Sequence, residues 1–134
     1  MTKTFDQMFV TDKKAEREGS WVQVDGTEIW FLLARSTNDE YIDCLEKLRR
    51  PHLNEIRKGE YPRDKQREII RKAVARCILL GWKNLVRDGK DIKYSYDEAY
   101  NLLEHEEFLD WVLYESSEKS YYQKEYLEES AKNS

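Results

Sequence analysis

Pro62-Arg63-Asp64-Lys65-Gln66-Arg67-Glu68-Ile69-Ile70-Arg71-Lys72-Ala73-Val74-Ala75-Arg76-Cys77-Ile78-Leu79-Leu80-Gly81 is the stretch on which the fold turns. Its apolar positions, Ile69, Ile70, Ala73, Val74, Cys77, Ile78 and Leu80, follow the 3.6-residue period of one helix face. Pro62 suits the helix start, where its missing N–H breaks no helical bond, and Gly81 suits the end. The pattern predicts the longest helix of the chain, with its stripe central in the core.

Working back toward the N-terminus, Pro51 interrupts a helical pattern by removing a donor and crowding the preceding turn. A short helix from Pro51 is predicted to end at Gly59. Before it, Thr37 and Glu40 have capping-box spacing, opening a helix through Tyr41, Cys44, Leu45 and Leu48. The clearest β signal lies earlier. Trp21-Val22-Gln23-Val24 and Thr27-Glu28-Ile29-Trp30-Phe31-Leu32-Leu33 flank Asp25-Gly26, a pair that favours a hairpin turn with positive φ. Trp21 and Ile29 are expected to supply part of its buried face. A two-stranded hairpin is marginal alone, so it must lie on helices or pair with another chain. Residues 1–19 are polar apart from Phe5, Met8, Phe9 and Val10. They read as a flexible arm, or as an arm that docks on a neighbour through those four residues.

Toward the C-terminus, Asp88-Gly89 marks a turn. Ser95 and Glu98 form a second capping box before Ala99, Leu102 and Leu103, and a further helix carries Phe108, Leu109, Val112 and Leu113. The fold class is therefore mainly α with one N-terminal β-hairpin, a small single domain. Its hairpin and helices occupy 20–117. Residues 118–134 form a charged, Tyr-rich tail with too few apolar groups for a core of its own.

With 134 residues the chain is long enough for one domain. Its 9 Tyr, 4 Phe and 4 Trp exclude a wholly disordered chain, because disorder is aromatic-poor. No uncharged run exceeds the length of Cys77–Trp82, which is far too short to span a membrane. No charged start leads into an apolar segment, so no secretory signal is expected and the protein should be soluble and intracellular. The net charge of −4 hides a strong asymmetry. Residues 47–76 carry 11 Lys/Arg and 4 Asp/Glu, whereas 97–129 carry 11 Asp/Glu and 2 Lys. The bland reading is a solvated helix face. The sharper one is a homo-oligomer in which basic and acidic surfaces of adjacent copies meet.

Catalytic chemistry is the weakest class. Glu106-Glu107 and Asp97-Glu98 are paired carboxylates without an apolar pocket to separate their pKa values. There is no Gly-x-Ser-x-Gly elbow and no phosphate-cradling glycine loop. Cys44, Cys77, His52 and His105 make no metal-ligand spacing, and the two cysteines read as small hydrophobes. No catalytic, cofactor-binding or metal-binding residues are assigned.

Several stretches, taken in order, resemble one family. Phe9-Val10-Thr11-Asp12-Lys13-Lys14-Ala15-Glu16-Arg17-Glu18-Gly19 precedes the Trp21-Val22 strand. Ala34-Arg35, Leu48-Arg49-Arg50-Pro51 and Leu79-Leu80-Gly81-Trp82 follow. Then come Tyr94-Ser95, Asn101-Leu102-Leu103 and Phe108-Leu109-Asp110-Trp111-Val112-Leu113. Together they resemble the tail assembly chaperones of long-tailed, siphovirus-type bacteriophages.

The resemblance implies a mostly helical protein that binds the tape measure protein and keeps it soluble during tail assembly. It implies action in the host cytoplasm and absence from the mature virion. It also implies a longer, frameshifted form that could reach the tail tube protein, and Lys132-Asn133 permits an A-rich slippery run. Partner contacts are assigned to Trp21 and Trp30 on the hairpin and to Tyr121, Tyr122 and Tyr126 on the tail, since aromatic groups bury large area at little entropic cost. Two other classes remain open. A structural tail component would be retained in purified particles. A nucleic-acid binder using the basic 47–76 block would show a steep salt dependence; that block lacks a recognisable motif, and the acidic C-terminal third opposes phosphate.

Overall fold

The longest helix begins where the sequence places it and stops short of its expected end. In the computed structural model, which describes residues 2–132, Pro62 caps the helix Arg63–Cys77 (α5). The chain then leaves the helix, and Leu79–Lys83 forms a strand (β3). Gly81 is therefore not a helix terminator but a strand residue, packed beside Leu32 and Trp21. A short apolar run bounded by turn signals reads equally as helix or buried strand. The sheet decides between them, because an isolated hairpin leaves an edge unpaired.

That hairpin consists of Ser20–Gln23 (β1) and Trp30–Leu33 (β2), antiparallel with Ser20 opposite Leu33 and Gln23 opposite Trp30. Thr27-Glu28-Ile29 belongs to the turn, where the Thr27 hydroxyl donates to the Val24 carbonyl at 2.8 Å. β3 pairs with the other edge of β2, setting Phe31 opposite Trp82 and Leu32 opposite Gly81. The expectation of a single N-terminal hairpin is thus corrected to a three-stranded sheet in the order β1-β2-β3. A second, two-residue ribbon joins Val86–Arg87 (β4) to Lys90–Asp91 (β5). Its turn is the expected Asp88-Gly89, with φ of 53° and 76°. The helix-rich, small single domain stands as read.

Side-chain alternation gives the sheet one core face, carrying Val22, Phe31, Leu33 and Leu79. Trp21, expected on the buried face with Ile29, lies on the other side and is half-buried. The core face meets α5 and the helices Tyr96–Leu102 (α6) and Glu106–Glu115 (α7). Phe31 is the centre of an aromatic cluster, with ring centroids 5.1 Å from Phe108, 5.5 Å from Trp111 and 6.2 Å from Trp82. Trp82 donates its indole N–H to the Ile92 carbonyl at 2.7 Å, so burial leaves no unpaired donor there.

The helix Asp39–Arg49 (α3) is capped by Asn38, not Thr37. Asn38 Oδ1 accepts from the Tyr41 N–H at 3.0 Å, and its amide donates to the Arg35 carbonyl at 2.6 Å. One side chain thus serves both the strand exit and the helix start. Pro51 breaks the path as expected, giving a 3-10 turn and the short helix Leu53–Arg57 (α4) before Gly59. Ser95 caps α6 through the Glu98 N–H at 3.1 Å.

Ile78 is fully buried, whereas Ile70 is only partly so. We expect Ile78→Ala to lower stability by about 3 kcal/mol and Ile70→Ala by about 1 kcal/mol, measured in urea melts. Equal losses would put Ile70 in the core as well.

Candidate interaction surface

The N-terminal arm contains the helices Phe5–Phe9 (α1) and Lys13–Glu18 (α2). The tail contains the 3-10 turn Lys119–Tyr122 and the helix Lys124–Lys132 (α8). Asn133, half of the proposed slip site, lies outside the described residues. Arm and tail meet. The Asp12 N–H donates to the Tyr122 carbonyl at 2.7 Å, and the Gln123 amide donates to the carbonyls of Gln7 at 3.0 Å and Val10 at 3.3 Å.

Gly19 then turns the chain from α2 into β1. Its φ is +102°, and a Cβ there would sit 2.8 Å from Leu32, so only glycine fits. Beside it Glu16 is buried and accepts from Arg35 at 2.7 Å and Lys13 at 3.0 Å. Burial pushes the Glu16 carboxyl up, but the bonds from Arg35 and Lys13 outweigh it and hold the group below its ordinary value.

Of the five aromatic residues assigned to partner contacts, Trp21, Tyr121, Tyr122 and Tyr126 lie together, and the three tyrosine hydroxyls are engaged within the chain. Tyr122 is fully buried and donates its hydroxyl to the Leu33 carbonyl at 2.9 Å. Burial raises its pKa. The half-buried Tyr126 bonds the Trp21 carbonyl, and Tyr121 donates to Glu115 at 2.7 Å. The Lys83 ammonium lies 4.1 Å from the Trp21 ring centroid. Trp30 is half-buried at the end of β2, opposite Gln23 and Lys83.

Exposed apolar groups gather on α1 and at its C-cap, Val10, whereas Tyr114, Val86, Ile42, Leu53 and Tyr96 are exposed on other elements. Phe5 is 67% exposed, Phe9 57%, Val10 50% and Met8 38%. None of the residues of α1 is buried. A surface helix ordinarily turns its apolar stripe toward the core. Here polar anchors from Gln123 and a Thr4–Gln7 capping box hold the backbone, and the apolar side chains face out. The Phe5 and Phe9 rings lie 5.1 Å apart, and the Lys119 ammonium sits 5.0 Å from the Phe9 centroid. The four residues were legible in the sequence as apolar groups in a polar arm; their presentation on a braced helix was not.

The charge asymmetry is partly resolved within the chain. Arg67 reaches Glu106 at 3.4 Å and Asp110 at 3.7 Å, and Arg71 donates to the Tyr100 carbonyl at 2.7 Å. Cys77 lies on the Glu40 carbonyl at 3.6 Å, and burial pushes its thiol up to about 11. Among the described residues, no group of three or more His, Cys, Asp or Glu could hold a metal ion. No described helix is long and apolar enough to cross a membrane.

Residues 36–133 match the family described as YdaY prophage protein. The chain belongs to the YdaY prophage protein family. That establishes a prophage protein, the coarser part of the resemblance to phage tail proteins. The YdaY match runs from the residues before α3 through the tail, so it includes the basic and acidic blocks and leaves out the arm and the first two strands. No curated protein and no solved structure matches this YdaY-family chain.

Proposed function

We propose that this prophage protein is a tail assembly chaperone that binds the tape measure protein and keeps it soluble until the tail tube forms. The observation that carries the reading is the α1 ridge: Phe5, Met8 and Phe9 exposed on the helix and Val10 at its C-cap, with the backbone anchored by Gln123. Exposed apolar groups gathered in one place mark an interaction surface. A long helical client offers apolar stripes that would otherwise aggregate, and a small protein with an apolar ridge and charged flanks can cover them. Many copies would act along one client in the host cytoplasm and leave before the virion is complete. A longer frameshifted form would link the same domain to the tail tube protein. The protein is read as a binding protein without catalytic residues, cofactor or membrane attachment.

The test is binding of a purified tape measure segment to the parent and to a Phe5→Ser, Phe9→Ser variant. Both residues are exposed, so the thermal melt should not change. Losing two buried phenyl contacts should weaken binding by about 100-fold. If the variant binds as tightly as the parent, the ridge is not the docking surface.

A further inference from the structure

We propose that the groove between α3 and α5 receives the acidic face of α8 from a second copy, so that copies join head to tail. The inference rests on the chaperone reading only for its purpose, since a coat needs contacts between copies.

The groove has Leu48, Pro51 and Tyr61 along it and Lys47, Lys65 and Lys72 at its rim. Its carboxylate, Glu68, lies 3.4 Å from Lys72. Elsewhere on α5 Arg67 reaches Glu106 and Asp110, and Arg71 is held on the Tyr100 carbonyl and ring. Among the described residues no carboxylate pairs with Lys47 or Lys65, so the groove rim keeps unpaired positive charge.

The complement is on the same chain. Tyr126 and Leu127 of α8 are half-buried, which leaves Glu125, Glu128 and Glu129 exposed. Lys124 comes within 3.9 Å of Glu128, and among the described residues no cation pairs with Glu125 or Glu129. Opposite charge at two separate places fits a head-to-tail contact, which repeats into a ring or an open string, whereas reciprocal exchange about a two-fold axis would stop at a dimer. Complementary fields speed encounter and fix register, and they weaken steeply with salt.

Charge exchange tests this on the full chain without any client. The groove variant is Lys47→Glu with Lys65→Glu; the helix variant is Glu125→Lys with Glu129→Lys. All four residues are exposed, so circular dichroism melts should match the parent. In sedimentation velocity at low salt the parent should at least double its mass, each variant should stay monomeric, and an equal mixture of the two should recover about the parent's mass. Recovery follows because the reversed groove fits the reversed helix, and the untouched groove fits the untouched helix. A monomeric parent, a variant that still assembles, or a mixture that stays monomeric overturns the contact. So does a parent assembly that nuclease dissolves, which would assign the groove to nucleic acid. A client that remains soluble beside a monomeric parent would overturn the contact while leaving the chaperone reading intact.

Discussion

Tyr122→Ala should lower folding stability by about 4 kcal/mol, because it empties a fully buried aromatic site. The side chain does more than fill space. Its hydroxyl donates to the Leu33 carbonyl, and its backbone carbonyl accepts from Asp12, so one residue ties the tail to β2 and to the arm. Tyr122→Phe keeps the ring and removes only the hydroxyl's bond to the Leu33 carbonyl, so a loss of about 1 kcal/mol is expected. Urea melts of the three proteins give both numbers. A small effect of Tyr122→Ala would mean that the tail undocks without disturbing the sheet. Removing everything after Ser117 deletes the same residue, so a truncated chain that fails to protect its client would report lost stability as well as lost contacts. Exposed substitutions on α1 are the cleaner probe of docking.

The second large effect is expected at Glu16. Glu16→Ala leaves Arg35 largely buried beside Tyr122 without its carboxylate, and breaking a buried pair costs about 3–5 kcal/mol. The same pair predicts a pH dependence. The folded-state pKa of Glu16 lies below its ordinary value. The unfolded chain therefore binds the proton more readily, and the stabilisation is present above the ordinary glutamate pKa and is lost as pH falls through the folded one. Acid titration followed by tryptophan fluorescence should show the parent losing stability across that range. Glu16→Ala should lose less there, having no such carboxylate to protonate. Parallel acid curves for the two proteins would show that Glu16 does not contribute through its charge.

The local signals were legible in the sequence wherever one residue type has one conformational consequence. Pro51, Pro62, Asp88-Gly89 and Ser95 all mark the breaks, turns and caps that they predict. Signals with two solutions went to tertiary context. Ile78-Leu79-Leu80 continues a helical stripe, yet the free edge of β2 draws the chain from Leu79 onward into a strand. Thr37 and Asn38 are both competent caps, and the Arg35 carbonyl, within reach of the Asn38 amide, selects the latter.

The arm and tail were harder still. Their apolar groups are few in either segment alone, and contacts between distant residues, Asp12 with Tyr122, Gln123 with Gln7 and Val10, and Lys119 with Phe9, bring the two together. That meeting of distant segments turns Tyr122 from a candidate contact into a core residue, and leaves the apolar groups of α1 exposed. The basic and acidic blocks were visible as counts along the chain. Which of their charges stay unpaired depends on the packing of α5 against α7, which no local pattern reports.

The most direct measurement is the soluble fraction of the prophage's tape measure protein, expressed with and without this chain. The tape measure protein should move from the pellet to the supernatant when the chain is present, and should return to the pellet with the Phe5→Ser, Phe9→Ser variant. A tape measure protein equally soluble, or equally aggregated, with and without the chain would contradict the chaperone function.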